Sequence, residues 1–152
     1  MSTNRALLIG SQTGGLTGVH SDVEVFDDAL RGLGFTTTRC IERDATYDGI
    51  VSRYRGLIED TASGDAAVVY YSGHGGRQRN ALAADDPTAP AWLQYIVPTD
   101  VEDRADGRFH AVLAQELSLL QRQLTDKTAN VTTILDCCHS ARMSRSPALL
   151  PK

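Results

Sequence analysis

The chain has 152 residues, 41% of them hydrophobic and 22% charged, with a formal net charge of -4. That length suits one domain, residues 1–152, large enough to bury roughly two thirds of the surface its unfolded form exposes, and the mild acidity argues against nucleic acid or an anionic membrane as a partner. Of the three cysteines, Cys137 and Cys138 are neighbours and make a poor disulfide framework, no apolar run approaches the ~18 residues of a membrane span, and "MSTNRALLIG" lacks a basic leader with an apolar core; a reduced, cytoplasmic protein is expected.

Apolar runs alternate with helical patterns, the signature of a parallel sheet covered by crossover helices. "RALLIG" (5–10) is a short buried strand, followed by the loop "SQTGGLTG" and a helix over 21–33 with Val23, Phe26, Leu30 and Leu33 on one face. Ser21 and Glu24 have the spacing of a capping box, and Gly34 closes the helix. "FTTTRC" (35–40) is a β-branched, peripheral strand. A second helix covers 46–61 with Ile50, Val51, Tyr54, Leu57 and Ile58 inward. "DAAVVYYSGHGG" is a continuous apolar run suited to a central strand buried on both faces, and it stops at "SGHGG". The segment 77–90 is polar and loop-like, and "LQYIVPTD" is at most a short strand. A third helix is predicted over 110–124 with Val112, Leu113, Leu117, Leu120 and Leu124 as its stripe, and "NVTTILD" is the last strand.

Functional groups in open parallel sheets collect beyond the carboxyl ends of the strands. Two strands here end in reactive residues: one delivers Ser72, Gly73, His74, Gly75 and Gly76, the other "DCCHS", residues 136–140. If the strands are neighbours, an imidazole meets a thiol. That pairing lowers the thiol pKa and populates the nucleophilic thiolate, while glycines beside His74 leave main-chain N–H groups free to stabilise an oxyanion. A zinc site from His74, Cys137, Cys138 and His139 is the competing reading. It is disfavoured because adjacent cysteines rarely reach one tetrahedral ion. "GSQTGG" lacks both the spacing and the Lys-Ser/Thr ending of a nucleotide loop. Cys40, His20 and His110 read as surface or structural residues.

At "YYSGHGG", "YIVPTD" and "ILDCCHS" the sequence resembles the caspase-like cysteine proteases of peptidase C14 type, metacaspases and their bacterial relatives more than animal caspases. The resemblance runs from Arg5 to about Ser140. It implies an α/β fold, a three-layer caspase-like sandwich whose mostly parallel sheet has helices on both faces. The chain corresponds to the large-subunit part of that domain, without the small-subunit strands. Cys138 is then the nucleophile, His74 the general base, and the N–H groups of Gly75 and Cys138 the oxyanion hole; Cys137 occupies a variable position and packs as a small hydrophobe. Asp22, Ser72 and Asp136 match an acidic pocket, which implies cleavage after Arg or Lys by charge-assisted hydrogen bonds. Val19 stands where the family often carries a cysteine. No cofactor is required by the resemblance. Calcium, needed by some members, is left open, with Asp85, Asp86, Asp100, Glu102 and Asp103 in loops that could supply its oxygen ligands.

The resemblance further implies a protein or peptide substrate, regulation by a sensor or partner, and a role in stress response, cell death or bacterial antiviral defence. An exposed catalytic strand calls for a small-subunit chain or C-terminal continuation to complete the sheet. Lys152 is the residue that self-cleavage after a basic side chain would leave. The alternative is a catalytically silent caspase-like scaffold.

Overall fold

The computed structural model describes residues 2–103 and 105–137. Cys138, His139 and Lys152 lie outside the described residues, and with them the expected nucleophile, the second oxyanion donor and the processing site. The elements in chain order are β1 (Asn4–Ser11), α1 (Val19–Gly32), β2 (Phe35–Ile41), α2 (Tyr47–Asp60), β3 (Ala66–Gly73), β4 (Gly75–Arg79), β5 (Trp92–Ile96), β6 (Val112–Leu113), α3 (Ala114–Lys127) and β7 (Asn130–Asp136).

The continuous apolar runs become the middle of a parallel four-stranded sheet of order β2-β1-β3-β7. Successive side chains on β1 and β3 point to opposite faces, so both faces need cover. Leu7, Ile9, Val69 and Tyr71 pack with Ile50, Tyr54 and Leu57 of α2 and Leu120 and Leu124 of α3. Leu8, Val68 and Tyr70 pack with Val23, Phe26 and Leu30 of α1. Each fully buried aliphatic side chain contributes about 1.5–3 kcal/mol. These faces make the three-layer α/β sandwich that the resemblance implies, around the parallel sheet that the apolar runs predict. No helix among the described residues is long and apolar enough to cross a membrane.

Three boundaries differ from the sequence expectation. Helix α1 begins at Val19, behind Gly18 at φ 95, and has no side-chain cap; Ser21 already lies inside the first turn, so the expected capping box does not form. Leu33, assigned to the apolar stripe, is exposed. The segment expected to be loop from Arg77 begins as strand, because Gly75–Arg79 pair antiparallel with Trp92–Ile96. Helix α3 begins at Ala114 rather than His110, because Val112 and Leu113 pair with Ile96 and Tyr95 and are held in extended backbone. Glu116 accepts from the Leu113 N–H at 3.0 Å and caps the true start.

The β4-β5-β6 sheet stands beside the carboxyl end of the main one. There the exposed ring of Trp92 has the Arg77 and Arg79 guanidinium carbons 5.0 and 5.5 Å from its centroid, a cation–π arrangement with its cross-strand partner Arg79 and with Arg77 two residues before it on β4.

Candidate active site

Strand β3 runs straight into the site. Gly73, its last residue, has no room for a side chain: a Cβ there would lie 2.5 Å from the Tyr71 hydroxyl and 2.9 Å from the Ser11 carbonyl oxygen. The chain then presents His74, half-buried. Its Nδ1 is buried with no hydrogen-bond partner among the described residues. Unpartnered buried ring nitrogens are costly and call for an explanation; a group from outside the described residues is the natural one.

The other side of the ring rests on the loop after β1. Gly14, at φ 57, would place a Cβ 3.0 Å from His74 Nε2. In "GSQTGG", which resembles a nucleotide loop superficially, Gly14 thus makes room for an imidazole. That role is not readable from spacing alone.

The His74 carbonyl is held from two directions. The Tyr71 hydroxyl donates to it at 2.7 Å and the Val97 N–H at 3.1 Å. Ser11 Oγ donates to the Val97 carbonyl at 2.5 Å, tying the end of β1 into the same cluster. Tyr71 is fully buried, and burial pushes its phenol well above the usual range, so it remains a donor.

The sequence-predicted pocket residues come together on the α1 side of the sheet edge. Ser72 is buried and its Oγ donates to Asp22 Oδ2 at 3.1 Å; Asp22 lies in the first turn of α1. Ser72 stands opposite Asp136 in the β3–β7 register, and Asp136 Oδ2 accepts from the Tyr70 hydroxyl at 3.5 Å. Both carboxylates are exposed. An exposed pair of carboxylates around a buried hydroxyl can receive a cationic group and supply it with acceptors. Tyr70 was not singled out in the sequence, where it is one more residue of an apolar run. It is fully buried, stacked on Phe26 with centroids 3.8 Å apart, and burial together with the Asp136 and Asp22 charges keeps its phenol protonated.

Other titratable groups sort themselves by environment. Cys137 is half-buried against the main core, as a small packed neighbour should be. Cys40 is fully buried with its thiol 3.2 Å from the Asp44 carbonyl, and burial pushes its pKa up to about 11; it has the character of an inert packing residue. His110 is less idle than its sequence context suggests, since Nδ1 is 2.8 Å from Asp100 and Nε2 3.0 Å from Asp106. Of the loop acids that could serve calcium, Asp100 also accepts from the Tyr47 N–H, Asp86 from Thr88 and Asp103 from Ala105. Among the described residues no group of three or more His, Cys, Asp or Glu side chains converges as a metal site.

Comparison with known proteins adds the family. Residues 4–147 match the family model described as metacaspase, peptidase C14 domain. The chain is 30% identical to Metacaspase-1 of Mycosarcoma maydis over 90% of its own length and 35% of that protein's, and 32% identical to Metacaspase-4 of Arabidopsis thaliana over 91% and 34%. It therefore spans about a third of the length of these relatives. Among solved structures, protein GSU0716 from Geobacter sulfurreducens superposes with a TM-score of 0.71 at 20% identity, covering 91% of this chain and 51% of that one, a likeness of fold. The order of motifs, the parallel sheet and the family match agree: this chain belongs to the metacaspases of the peptidase C14 family.

Proposed function

We propose that the chain is the large-subunit part of a cysteine endopeptidase that cleaves after Arg or Lys with a His74–Cys138 dyad. The observation that carries the reading is the convergence of Asp22, Ser72 and Asp136 at the sheet edge where β3 delivers His74. Strands β3 and β7 are adjacent and parallel, with Ser72 opposite Asp136, and these two stand two residues before His74 and Cys138 in the sequence. The Cys138 thiol gives its proton to His74. The thiolate adds to the scissile carbonyl carbon, whose π electrons move to oxygen; collapse expels the amine, protonated by the imidazolium, and water then releases the acyl group. Oxyanion stabilisation falls to the Gly75 and Cys138 N–H groups. A guanidinium or ammonium seated between Asp22 and Asp136 fixes the residue before the cut.

Strand β7 supports the partner reading. Its outer edge has no pairing strand among the described residues, and Ile134 and Leu135 are exposed there. A small-subunit segment, in the same chain or a second one, would complete the sheet, with self-cleavage after Lys152 as one route to separate pieces. The cellular role is regulated cytoplasmic proteolysis in stress, death or defence.

The test is turnover of fluorogenic peptides ending in Arg, Lys or Asp by the complete protein, with and without calcium. Activity on Arg or Lys that disappears in Cys138→Ala is expected, and Asp136→Asn should lower kcat/KM on Arg peptides on the order of 10²-fold through loss of a charge partner for the substrate guanidinium. Cleavage after Asp alone would remove the pocket assignment, and silence under all conditions would favour a non-catalytic scaffold. If the parent protein carrying Cys138→Ala is still cut after Lys152, self-processing is wrong.

A further inference from the structure

We infer that the Tyr71 hydroxyl is a positioning group for the oxyanion hole, acting through the peptide plane between His74 and Gly75. The inference rests on the reading above, in which the Gly75 N–H stabilises the oxyanion, and it says what aims that donor.

The geometry follows from the β4–β5 ladder. In antiparallel pairs, hydrogen-bonded and non-hydrogen-bonded partners alternate. Near one end the Val97 N–H donates to the His74 carbonyl, and just past the other the Asn80 N–H donates to the Ala91 carbonyl, each at 3.1 Å. These bonds fix the parity across the intervening register, in which Gly75 stands opposite Ile96, and make that pair a non-hydrogen-bonded one. The Gly75 N–H is therefore turned away from β5. No strand pairs with that edge of β4 among the described residues, so the β-ladder leaves the donor on the side of β4 away from β5.

A peptide plane is rigid and trans, with its C=O and N–H opposed. Whatever holds the His74 carbonyl inward holds the Gly75 N–H outward. The Val97 N–H contributes to that restraint, but it is shared, lying 3.2 Å from the Tyr71 oxygen as well. The Tyr71 hydroxyl also approaches the Val97 carbonyl, at 3.3 Å, but its contact with the His74 carbonyl is the shortest of the set, at 2.7 Å, and it comes from a fully buried ring. A neighbouring β-strand bond alone would leave the plane free to tilt about β4; the phenol supplies a second direction. Preorganised donors stabilise a developing oxyanion because they need no reorientation when the charge appears.

Tyr71→Phe in the complete protein separates this role from general packing. Turnover of an Arg-ending amide should fall about tenfold in kcat with KM unchanged, less than the 10²–10³ for removing a hole donor outright, because the Val97 bond remains. Inhibition by a peptide aldehyde ending in Arg, which forms an oxyanion-bearing adduct with the thiol, should weaken by a similar factor. Alkylation by iodoacetamide, in which the thiolate displaces iodide and no oxyanion arises, should keep its rate. Tyr54→Phe, in the same core cluster, serves as the packing control and should lower the melting temperature without splitting the probes.

A parallel loss of alkylation and aldehyde binding in Tyr71→Phe, an unchanged aldehyde affinity, or the same split in Tyr54→Phe would each overturn the inference. The reading beneath it fails differently: wild-type protein would then keep its turnover after alkylation of Cys138, or show none before it.

Discussion

The two edges of the main sheet are built for different neighbours. Strand β2 faces solvent with Thr36, Thr38 and Arg39 exposed, and its α1 side is closed by a charge cluster in which buried Asp27 receives Arg39 at 2.5 Å, Arg31 at 2.8 Å and the Thr37 hydroxyl. Strand β7 instead exposes Ile134 and Leu135, and Leu135 lines a cavity of about 140 Å³ with Tyr54, Leu117 and Thr133. Polar and charged edges resist pairing, whereas apolar ones invite it. Among the described residues, a sheet with a polar edge on one side and an apolar edge without a pairing strand on the side nearest the candidate site is the arrangement expected if the site is completed by further chain.

The largest expected effect breaks this comparison if it fails. In the complete protein, Leu135→Asp should cost about 3–5 kcal/mol in urea unfolding, as burying an unpaired charge does, against about 0.5 kcal/mol or less for Thr38→Asp on the solvent edge. Equal, small losses would mean that β7 is also a solvent edge.

A smaller effect sharpens the β2 side. Asp27→Ala should cost about 2 kcal/mol by removing the acceptor of a charged cluster. Burial opposes ionisation of Asp27, but the bonds from Thr37, Arg31 and Arg39 outweigh it and lower its pKa from 3.8 to about 2. A depressed carboxyl stabilises the fold above its unfolded pKa, so this contribution is present above about pH 3.8 and is lost as pH falls towards about 2. Urea midpoints of wild type and Asp27→Asn across that range should converge at the acid end.

The smallest effect belongs to a hub that touches neither edge. The hydrogen bonds to Asp106 and Asp100 raise the pKa of His110 above 6.5. The sign is opposite to that of Asp27: the stabilisation is fully present below 6.5 and disappears as pH rises through the raised value. His110→Gln should remove that slope, with a difference of about 1 kcal/mol or less for such a partly exposed pair.

Much of the fold was legible because burial on both faces leaves a plain mark. The apolar runs of β1 and β3 are of that kind, and the stripe of α2 is a helical period. Strand β4 carries no such mark, since two glycines and polar side chains disfavour strands locally; pairing with β5 makes it one. Val112 and Leu113 fit a helical stripe equally well, and only the tertiary partner decides. In the site, Asp22, Ser72 and His74 could be named from the resemblance, but the parts of Gly14 and Tyr71 could not, because they depend on which atoms the folded chain brings against them.

The Trp92–arginine stack has an optical consequence. Trp92 is the only tryptophan in the sequence, and it sits on the hairpin whose first strand follows directly from His74. Its emission depends on the two guanidiniums against its ring and on the water reaching its exposed part. Peptide binding that shifts β4 relative to β5 would change that emission, giving an unlabelled signal from beside the site that can be followed with the dyad disabled and no cleavage taking place.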